Sequence, residues 1–436
     1  MFQVFGNEHR VFVPHQQNSQ KRIRIVAFFL AWALLIANHS CLAETVSLTG
    51  QTMGTTYSIK VITPSAQIAE DLKTQVDQRL TELDGAMSTW KPESEVSRFN
   101  AFESTDEWFP IGRDTFQVVR LALEMSSRTD GAFDITAAPI IGLWSFGASS
   151  RDSFVPPSES EIQATLELVG FDKIELSDEP PRIRKSVAGL NIDLSAIAKG
   201  YAVDEIASIL DSQQLGDYMV EIGGEVIVSG QREDNTAWRI GIEAPQKNAR
   251  ELAVAIPLVE TAIASSGDYR NFFEYEGKSY SHIVDPRTGK PAAGDLTAIS
   301  VLSKDCATAD AIATAMLVLG FEAAHQWCQE NGISALLFER NGKKVSHSTT
   351  NEFPMDANVA AAGKTSYAVI LLASGIVFSI AFAALAVGAI VKGKCLQGSC
   401  GGLANLSGKV DRSLCETCDK RIRNECTNDS NPPVAS

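Results

Sequence analysis

Positive charge is in short supply in this chain: 38 Lys and Arg stand against 53 Asp and Glu, a formal charge of −15 over 436 residues. Domains that bind nucleic acid carry basic patches to neutralise phosphates, so nucleic acid is set aside as a partner. No short repeat is detectable, which argues against a stacked-repeat architecture. Cysteine is sparse in the body, where only Cys306 and Cys328 occur between residues 45 and 350. Both read as small buried side chains, although an exported chain would permit a bridge between them. Two uncharged apolar runs stand out, and they lie on either side of that body.

The first run, Ile25–Ala37, is thirteen residues long and follows Lys21, Arg22 and Arg24. It is too short for a comfortable membrane span and suits the core of an export signal. Cys41 comes next, where a bacterial lipoprotein would be acylated, but Asn38-His39-Ser40 departs from the usual Leu-Ala-Gly approach. Cleavage after Ala43, or retention as an anchor, are the alternatives, so residues 1–43 are a signal peptide or N-terminal anchor. The second run, Tyr367–Val391, has 25 residues without a charge, enough to cross a bilayer at ~1.5 Å per residue. Lys392 and Lys394 follow it, which predicts a cytoplasmic tail over 392–436 behind an exported body.

That tail holds Cys395, Cys400, Cys415, Cys418 and Cys426. On a reducing side, such density favours metal ligation over disulfides, and the Cys415-Glu-Thr-Cys418 spacing lets two thiolates face one ion. Cys400 and Cys426 are the further candidate ligands. Incidental or palmitoylated cysteines near a membrane are the plainer alternative.

Residues 44–350 alternate between strand-like and helix-like patterns, which predicts an α+β domain with a largely antiparallel sheet and segregated helices. An apolar stripe at Ile68, Leu72, Val76, Leu80 and Leu83 predicts a helix ended by Gly85. Further helices are expected over Asp114–Arg128, Ser158–Leu168 (with Ser158 and Glu161 in the capping-box relation), Ala307–Leu319 and Phe321–Asn331. Strands are expected at Thr55–Val61, Tyr218–Ile222, Val226–Ser229, Trp238–Ile242, Leu252–Pro257, Ser279–Val284, Thr297–Leu302 and, last, Ala335–Glu339. Residues 351–366 read as a linker.

Two blocks carry the chemistry. Ser281-His282-Ile283-Val284-Asp285-Pro286-Arg287-Thr288-Gly289 sets an imidazole beside a carboxylate and then forces a turn. Ala309-Asp310-Ala311-Ile312-Ala313-Thr314 puts a carboxylate and a hydroxyl four residues apart in an alanine-rich run, so both project from one helix face. Such oxygens suit Mg²⁺, which takes few protein ligands and shares the rest with phosphate. An enzyme acting on a phosphate ester is the expectation. Earlier blocks are denser in Gly, Asp, Thr and aromatics than packing requires: Met53-Gly54-Thr55, Met87-Ser88-Thr89-Trp90, Ser94-Glu95-Val96-Ser97, Gly131-Ala132-Phe133-Asp134, Leu143-Trp144-Ser145-Phe146-Gly147, Asp193-Leu194-Ser195-Ala196-Ile197-Ala198-Lys199-Gly200, Ile222-Gly223-Gly224-Glu225 and Ser265-Ser266-Gly267. Glycines let backbone N–H groups approach phosphate oxygens, and Trp90 and Phe133 offer rings to stack on a planar group.

In this order, over residues 45–350, these blocks resemble the ApbE family of FAD:protein FMN transferases. The resemblance implies an exported, Mg²⁺-dependent enzyme that splits FAD and links FMN to a Thr or Ser hydroxyl of a target protein, releasing AMP. It also implies flavin-nucleotide contacts from Met53, Trp90, Ala132, Phe133, Asp134, Asp193, Lys199 and the Val284 backbone. The metal would be held by Asp310 and Thr314 with the carbonyls of Ala196 and Ala313. His282 is the candidate proton acceptor, oriented by Asp285, with a turn-fixing or nucleotide-contacting role as the alternative. The site's catalytic set is therefore His282, Asp310 and Thr314.

The segment 365–430, with Gly398-Ser399-Cys400-Gly401-Gly402-Leu403 and Cys418-Asp419-Lys420-Arg421 behind one apolar run, resembles the maturation factor NqrM. That likeness implies a role in assembling the sodium-translocating NADH:quinone reductase, with iron delivery through the tail cysteines, and makes that reductase's subunits the expected acceptors. The expected location is the bacterial inner membrane, with the catalytic domain on the periplasmic side. A Mg²⁺-dependent pyrophosphatase giving FMN and AMP, or a non-catalytic flavin-binding module, are the rival readings.

Overall fold

The computed structural model describes residues 44–63, 66–147, 154–246, 251–269, 272–292, 294–342 and 344–355, together with Phe378. The chain divides into a unit of Met1–Ala360 and one of Ala361–Ser436, and the fold of the first is built on one eight-stranded sheet. Its strands are β1 (Glu44–Thr52), β2 (Thr55–Thr63), β6 (Tyr218–Ile222), β7 (Glu225–Ser229), β10 (Thr261–Gly267), β15 (Leu296–Ser303), β16 (Ala335–Asn341) and β17 (Lys344–Thr350), paired in that order. Every pairing in it is antiparallel. The α+β class and the antiparallel sheet are as expected.

Alternation along the strands covers both faces of the sheet. In β6, Tyr218, Val220 and Ile222 join the larger core. In β16, Ala335 and Leu337 face that core, while Leu336 and Phe338 enter a second cluster. On the larger side lie the helices α1 (Ala69–Met87), α6 (Ala198–Ser212) and α7 (Cys306–Leu319). On the other side packs a separate hairpin, β8 (Trp238–Glu243) with β9 (Leu252–Leu258), through Trp238, Ile240, Ile242, Val254, Ile256 and Leu258. A residue spacing of two thus serves two cores at once.

Around this frame lie α2 (Glu95–Ala101), α3 (Arg113–Arg128), α4 (Ala138–Leu143), α5 (Glu159–Leu166) and α8 (Phe321–Glu330), with a small sheet of β3 (Phe109–Pro110), β4 (Ile174–Ser177) and β5 (Arg182–Lys185) and the two-residue strand β14 (Lys290–Pro291). The Ser158–Glu161 capping box forms as expected at the start of α5. The first helix does not stop at Gly85. It runs on to Met87, whose buried side chain extends the stripe one turn beyond Leu83 and offsets the ~1 kcal/mol a helical glycine costs. The strand expected over Ser279–Val284 divides into β12 (Lys278–Ser281), paired with β11 (Phe272–Tyr275), and the two-residue β13 (Val284–Asp285), with His282 and Ile283 between them. Cys306 and Cys328 are buried and unbridged.

Among the described residues, no helix is long and apolar enough to cross a membrane. The expected signal or anchor at 1–43, the spanning run Tyr367–Val391 (Phe378 apart) and the tail ligands Cys400, Cys415, Cys418 and Cys426 lie outside the described residues.

Candidate active site

Helix α7 carries Asp310 and Thr314, the two candidate metal ligands. Asp305 caps its start, its side chain accepting from Thr308 N at 2.8 Å. The Asp204 carboxylate, from α6, accepts from Cys306 N at 2.7 Å and Ala307 N at 2.9 Å. Two carboxylates therefore hold the first turn of a helix whose remaining surface is almost wholly apolar. Burial pushes Asp204 up to about 7, outweighing the two amide donors.

One turn further on, Asp310 is 2 % exposed, and its Oδ2 accepts from Gly200 N at 3.3 Å. Gly200 lies near the start of α6. A Cβ there would stand 2.5 Å from the Cys306 carbonyl oxygen, so only glycine lets α6 and α7 approach this closely. The preceding residue, Lys199, places its Nζ 2.9 Å from Glu225 Oε1 and 3.6 Å from Asp310 Oδ2. Burial works against the ammonium, but the two carboxylates outweigh it and raise its pKa. Burial raises that of Glu225, against the pull of Lys199.

These groups open onto a cavity of about 980 Å³. Its wall includes Trp90, Ala132, Phe133, Asp134, Asp193, Ala196, Lys199, His282, Val284, Asp310 and Thr314. Sequence positions from 90 to 314 thus meet in one place. Met53 and Ala313 are not part of that wall: Met53 packs against the core at the β1–β2 turn, and Ala313 is fully buried within α7.

Several expected contacts acquire definite surroundings. Trp90 is 68 % exposed at the cavity, a ring available for stacking, whereas Phe133, also in the wall, is a buried member of the core. The Asp134 carboxylate accepts from Thr136 N, Thr136 Oγ1 and Phe171 N at 2.7–2.9 Å, so it braces the turn that presents Ala132 and Phe133. Burial raises its pKa against those donors. Asp193 Oδ1 accepts from Ser195 N at 2.9 Å and shapes the loop leading to Ala196. Asp285 is gripped by Arg287, whose Nε and Nη2 donate to its two oxygens at 2.9 and 3.0 Å.

Among the described residues, no group of three or more His, Cys, Asp and Glu side chains could hold a metal. An ion at Asp310 would rest on one carboxylate, the Thr314 hydroxyl, and main-chain or substrate oxygens. Such a sparse set of hard donors fits Mg²⁺, which retains open positions for phosphate, and is foreign to zinc. Among the described residues, Thr314 Oγ1 makes a long 3.4 Å contact with Ser266 Oγ, a weak bond that a ligand oxygen or ion could replace.

Two participants escaped the sequence reading as individual residues. Glu225 looked like the end of a Gly-Gly hairpin, and the clue to its role was a carboxylate at a strand position that the helices cover. Ser266 lies in a strand of small residues with no apolar pattern to mark it.

The ApbE family model matches residues 53–337, which takes in all of the cavity wall but Phe338. The chain belongs to the ApbE family. The FAD:protein FMN transferase of Vibrio cholerae is 39 % identical over 325 residues, covering 74 % of this chain and 96 % of that one. The FAD:protein FMN transferase of Haemophilus influenzae is 35 % identical, covering 73 % and 93 %. Among solved structures, the flavin transferase ApbE from Vibrio cholerae has a TM-score of 0.65 at 37 % identity, covering 71 % of this chain and 98 % of that one. The apo flavinyl transferase ApbE of Pseudomonas stutzeri has a TM-score of 0.66 at 35 % identity, with 71 % and 96 % covered. These ApbE relatives meet the expected fold and enzyme class.

Proposed function

We propose that this ApbE-family chain is a Mg²⁺-dependent FAD:protein FMN transferase that passes the FMN half of FAD to a Thr or Ser hydroxyl of a target protein and releases AMP. One observation carries the reading: a single cavity gathers Asp310, Thr314, Lys199 and His282 beside the exposed ring of Trp90. It does so in a chain similar to transferases of that name along nearly their whole length.

The step is a displacement at phosphorus. A bond forms from the acceptor oxygen to the FMN-side phosphorus, the bond from that phosphorus to the bridging oxygen breaks, and AMP leaves with the bridging oxygen. Catalysis of this kind is mostly positioning and charge neutralisation. Lys199 supplies one fixed positive charge, held in place by Glu225. His282 takes the hydroxyl proton, a contribution of ~10²–10⁴-fold for a well-placed base. Asp310 and Thr314, with the main-chain oxygen of Ala196, would hold Mg²⁺, which when bound shields the pyrophosphate charge. Trp90 orients the planar end of the dinucleotide by stacking.

The acceptors in this reading are flavin-carrying subunits of the sodium-translocating NADH:quinone reductase, with the cysteine-rich tail aiding maturation of the same complex, by iron delivery for example. Support comes from the tail's resemblance to NqrM, from the apolar run Tyr367–Val391 and from the export-like N-terminus. Together they support a catalytic domain on the periplasmic side of the inner membrane.

The test is mass spectrometry of those subunits after incubation with the full chain, FAD and Mg²⁺. Addition of FMN with stoichiometric AMP is the expected result. AMP without covalent flavin would make the chain a pyrophosphatase, and bound FAD without AMP a binding module. His282→Ala should retain FAD and lose about 10²-fold or more in single-turnover transfer. An unaltered rate removes the base role.

A further inference from the structure

The Leu143-Trp144-Ser145-Phe146-Gly147 block has no assigned part in the reaction, yet it touches both ends of the segment that carries His282. The indole Nε1 of Trp144 donates to the Gly289 carbonyl oxygen at 2.7 Å, fully buried. The same indole stacks on Tyr280, with ring centroids 5.5 Å apart and planes at 29°. Tyr280 precedes His282 by two residues and Gly289 follows it by seven, so one side chain fastens the segment before and after the imidazole. Phe146 meets the His282 ring edge-on, at 6.2 Å and 67°.

The surroundings make this clamp stiff. Trp144 caps α4, and Ser145 follows in a left-handed conformation (φ 64°), which is strained for a non-glycine residue. That strained residue separates the two rings that reach the His282 segment. Gly289, also left-handed (φ 68°), sits so close to the helices that a Cβ would stand 2.8 Å from Ile162 and 3.1 Å from Ile140. The far end of the segment is therefore seated directly on α4 and α5. Trp144 itself does not line the cavity, and it is 4 % exposed.

We propose that Trp144 is a positioning residue for the transfer reaction: by pinning Tyr280 and Gly289 it fixes where the His282 imidazole stands against the acceptor hydroxyl. The proposal rests on the reading of His282 as proton acceptor. Hydrogen-bond geometry decides the worth of a base, and a displacement of about 1 Å can cost ~10²-fold in rate.

The experiment is a double-mutant cycle in the full chain, with FAD affinity and single-turnover FMN transfer measured separately. Trp144→Phe keeps a ring in place and removes only the N–H donor. FAD affinity should stay within about twofold of wild type while transfer slows about tenfold or more. In a His282→Ala background the same substitution should cause no further loss. An unchanged rate in Trp144→Phe, or an equal loss in both backgrounds, overturns the proposal and leaves the base reading intact. Wild-type transfer by His282→Ala alone would remove the base reading, and the proposal with it. Should Trp144→Phe fail to fold, Tyr280→Leu deletes the stacked ring and keeps the indole hydrogen bond. It should give a smaller loss of about threefold, absent again in the His282→Ala background, and an equal loss there counts against the proposal.

Discussion

The Lys199 ammonium stands 3.6 Å from Asp310 Oδ2, the carboxylate that is the candidate cation ligand, and 2.9 Å from Glu225 Oε1. One positive charge thus serves two buried carboxylates. Deleting it should be costly, because an uncompensated buried charge typically destabilises by ~3–5 kcal/mol. Lys199→Met is expected to lower the melting temperature by several degrees and to weaken FAD binding. Mg²⁺ should raise the melting temperature of the variant more than that of wild type, since a divalent ion beside Asp310 replaces the missing charge. An equal response to Mg²⁺ in both proteins would separate Lys199 from the ion site.

Asp310→Asn tests the ligand itself. The amide keeps the shape and an acceptor for Gly200 N, so the contact between α6 and α7 survives. Transfer should fall by at least about 10²-fold at saturating Mg²⁺, because the lost charge is the one that would hold the ion. AMP release across a Mg²⁺ titration checks this, and an undiminished response to the metal places the ion elsewhere.

The sheet and the cavity were legible in the sequence to different degrees, for physical reasons. Strands with alternating apolar residues, such as Tyr218–Ile222, and helices with a clear stripe, such as Arg113–Arg128, were readable because burial imposes the period. β17 was not, since Lys344–Thr350 is an edge strand with mostly exposed polar side chains and no apolar pattern. β10 was missed because Thr-Ala-Ile-Ala-Ser-Ser-Gly is made of small residues that suit its place between β7 and β15 and carry little signal. Helix α6 has a helical stripe at Ala202, Val203, Ile206, Ala207 and Leu210, but its start at Ile197 has no side-chain cap to mark it in the sequence. At the site, residue types announced Asp310, Thr314 and His282. Roles that depend on three-dimensional contact, such as Glu225 on Lys199 and Trp144 on Gly289, have no local signature.

Gly200→Ala tests how tightly the site depends on helix approach. The new methyl would meet main-chain atoms, Cys306 O at 2.5 Å and Ala307 Cα at 2.8 Å, and neither can swing aside as a side chain could. Overpacking of this kind costs ~1–3 kcal/mol, and relief would require α6 to move from α7, carrying Lys199 away from Asp310. A lower melting temperature and weaker FAD binding should appear together. Normal stability and normal affinity would mean that the helices have slack at this crossing.

Asp204 gives the protein a pH dependence of predictable sign. Burial pushes its carboxyl up to about 7, against an ordinary value near 3.9 in an unfolded chain. Between roughly pH 4 and 7 the folded state therefore binds more protons than the unfolded one, and stability falls as pH rises through that window. The penalty is fully present above about pH 7 and absent below about pH 4. Glu225, also raised by burial, acts in the same direction. Asp204→Asn removes one of these two contributions and retains an acceptor at the start of α7, at the cost of one of the bonds to Cys306 N and Ala307 N. The variant should melt lower than wild type at pH 5 because of that lost bond. The gap should narrow or reverse by pH 8, where wild type carries the buried charge. Thermal melts at pH 5, 6, 7 and 8 measure this directly, and parallel curves for the two proteins would show that Asp204 titrates alike in the folded and unfolded chain.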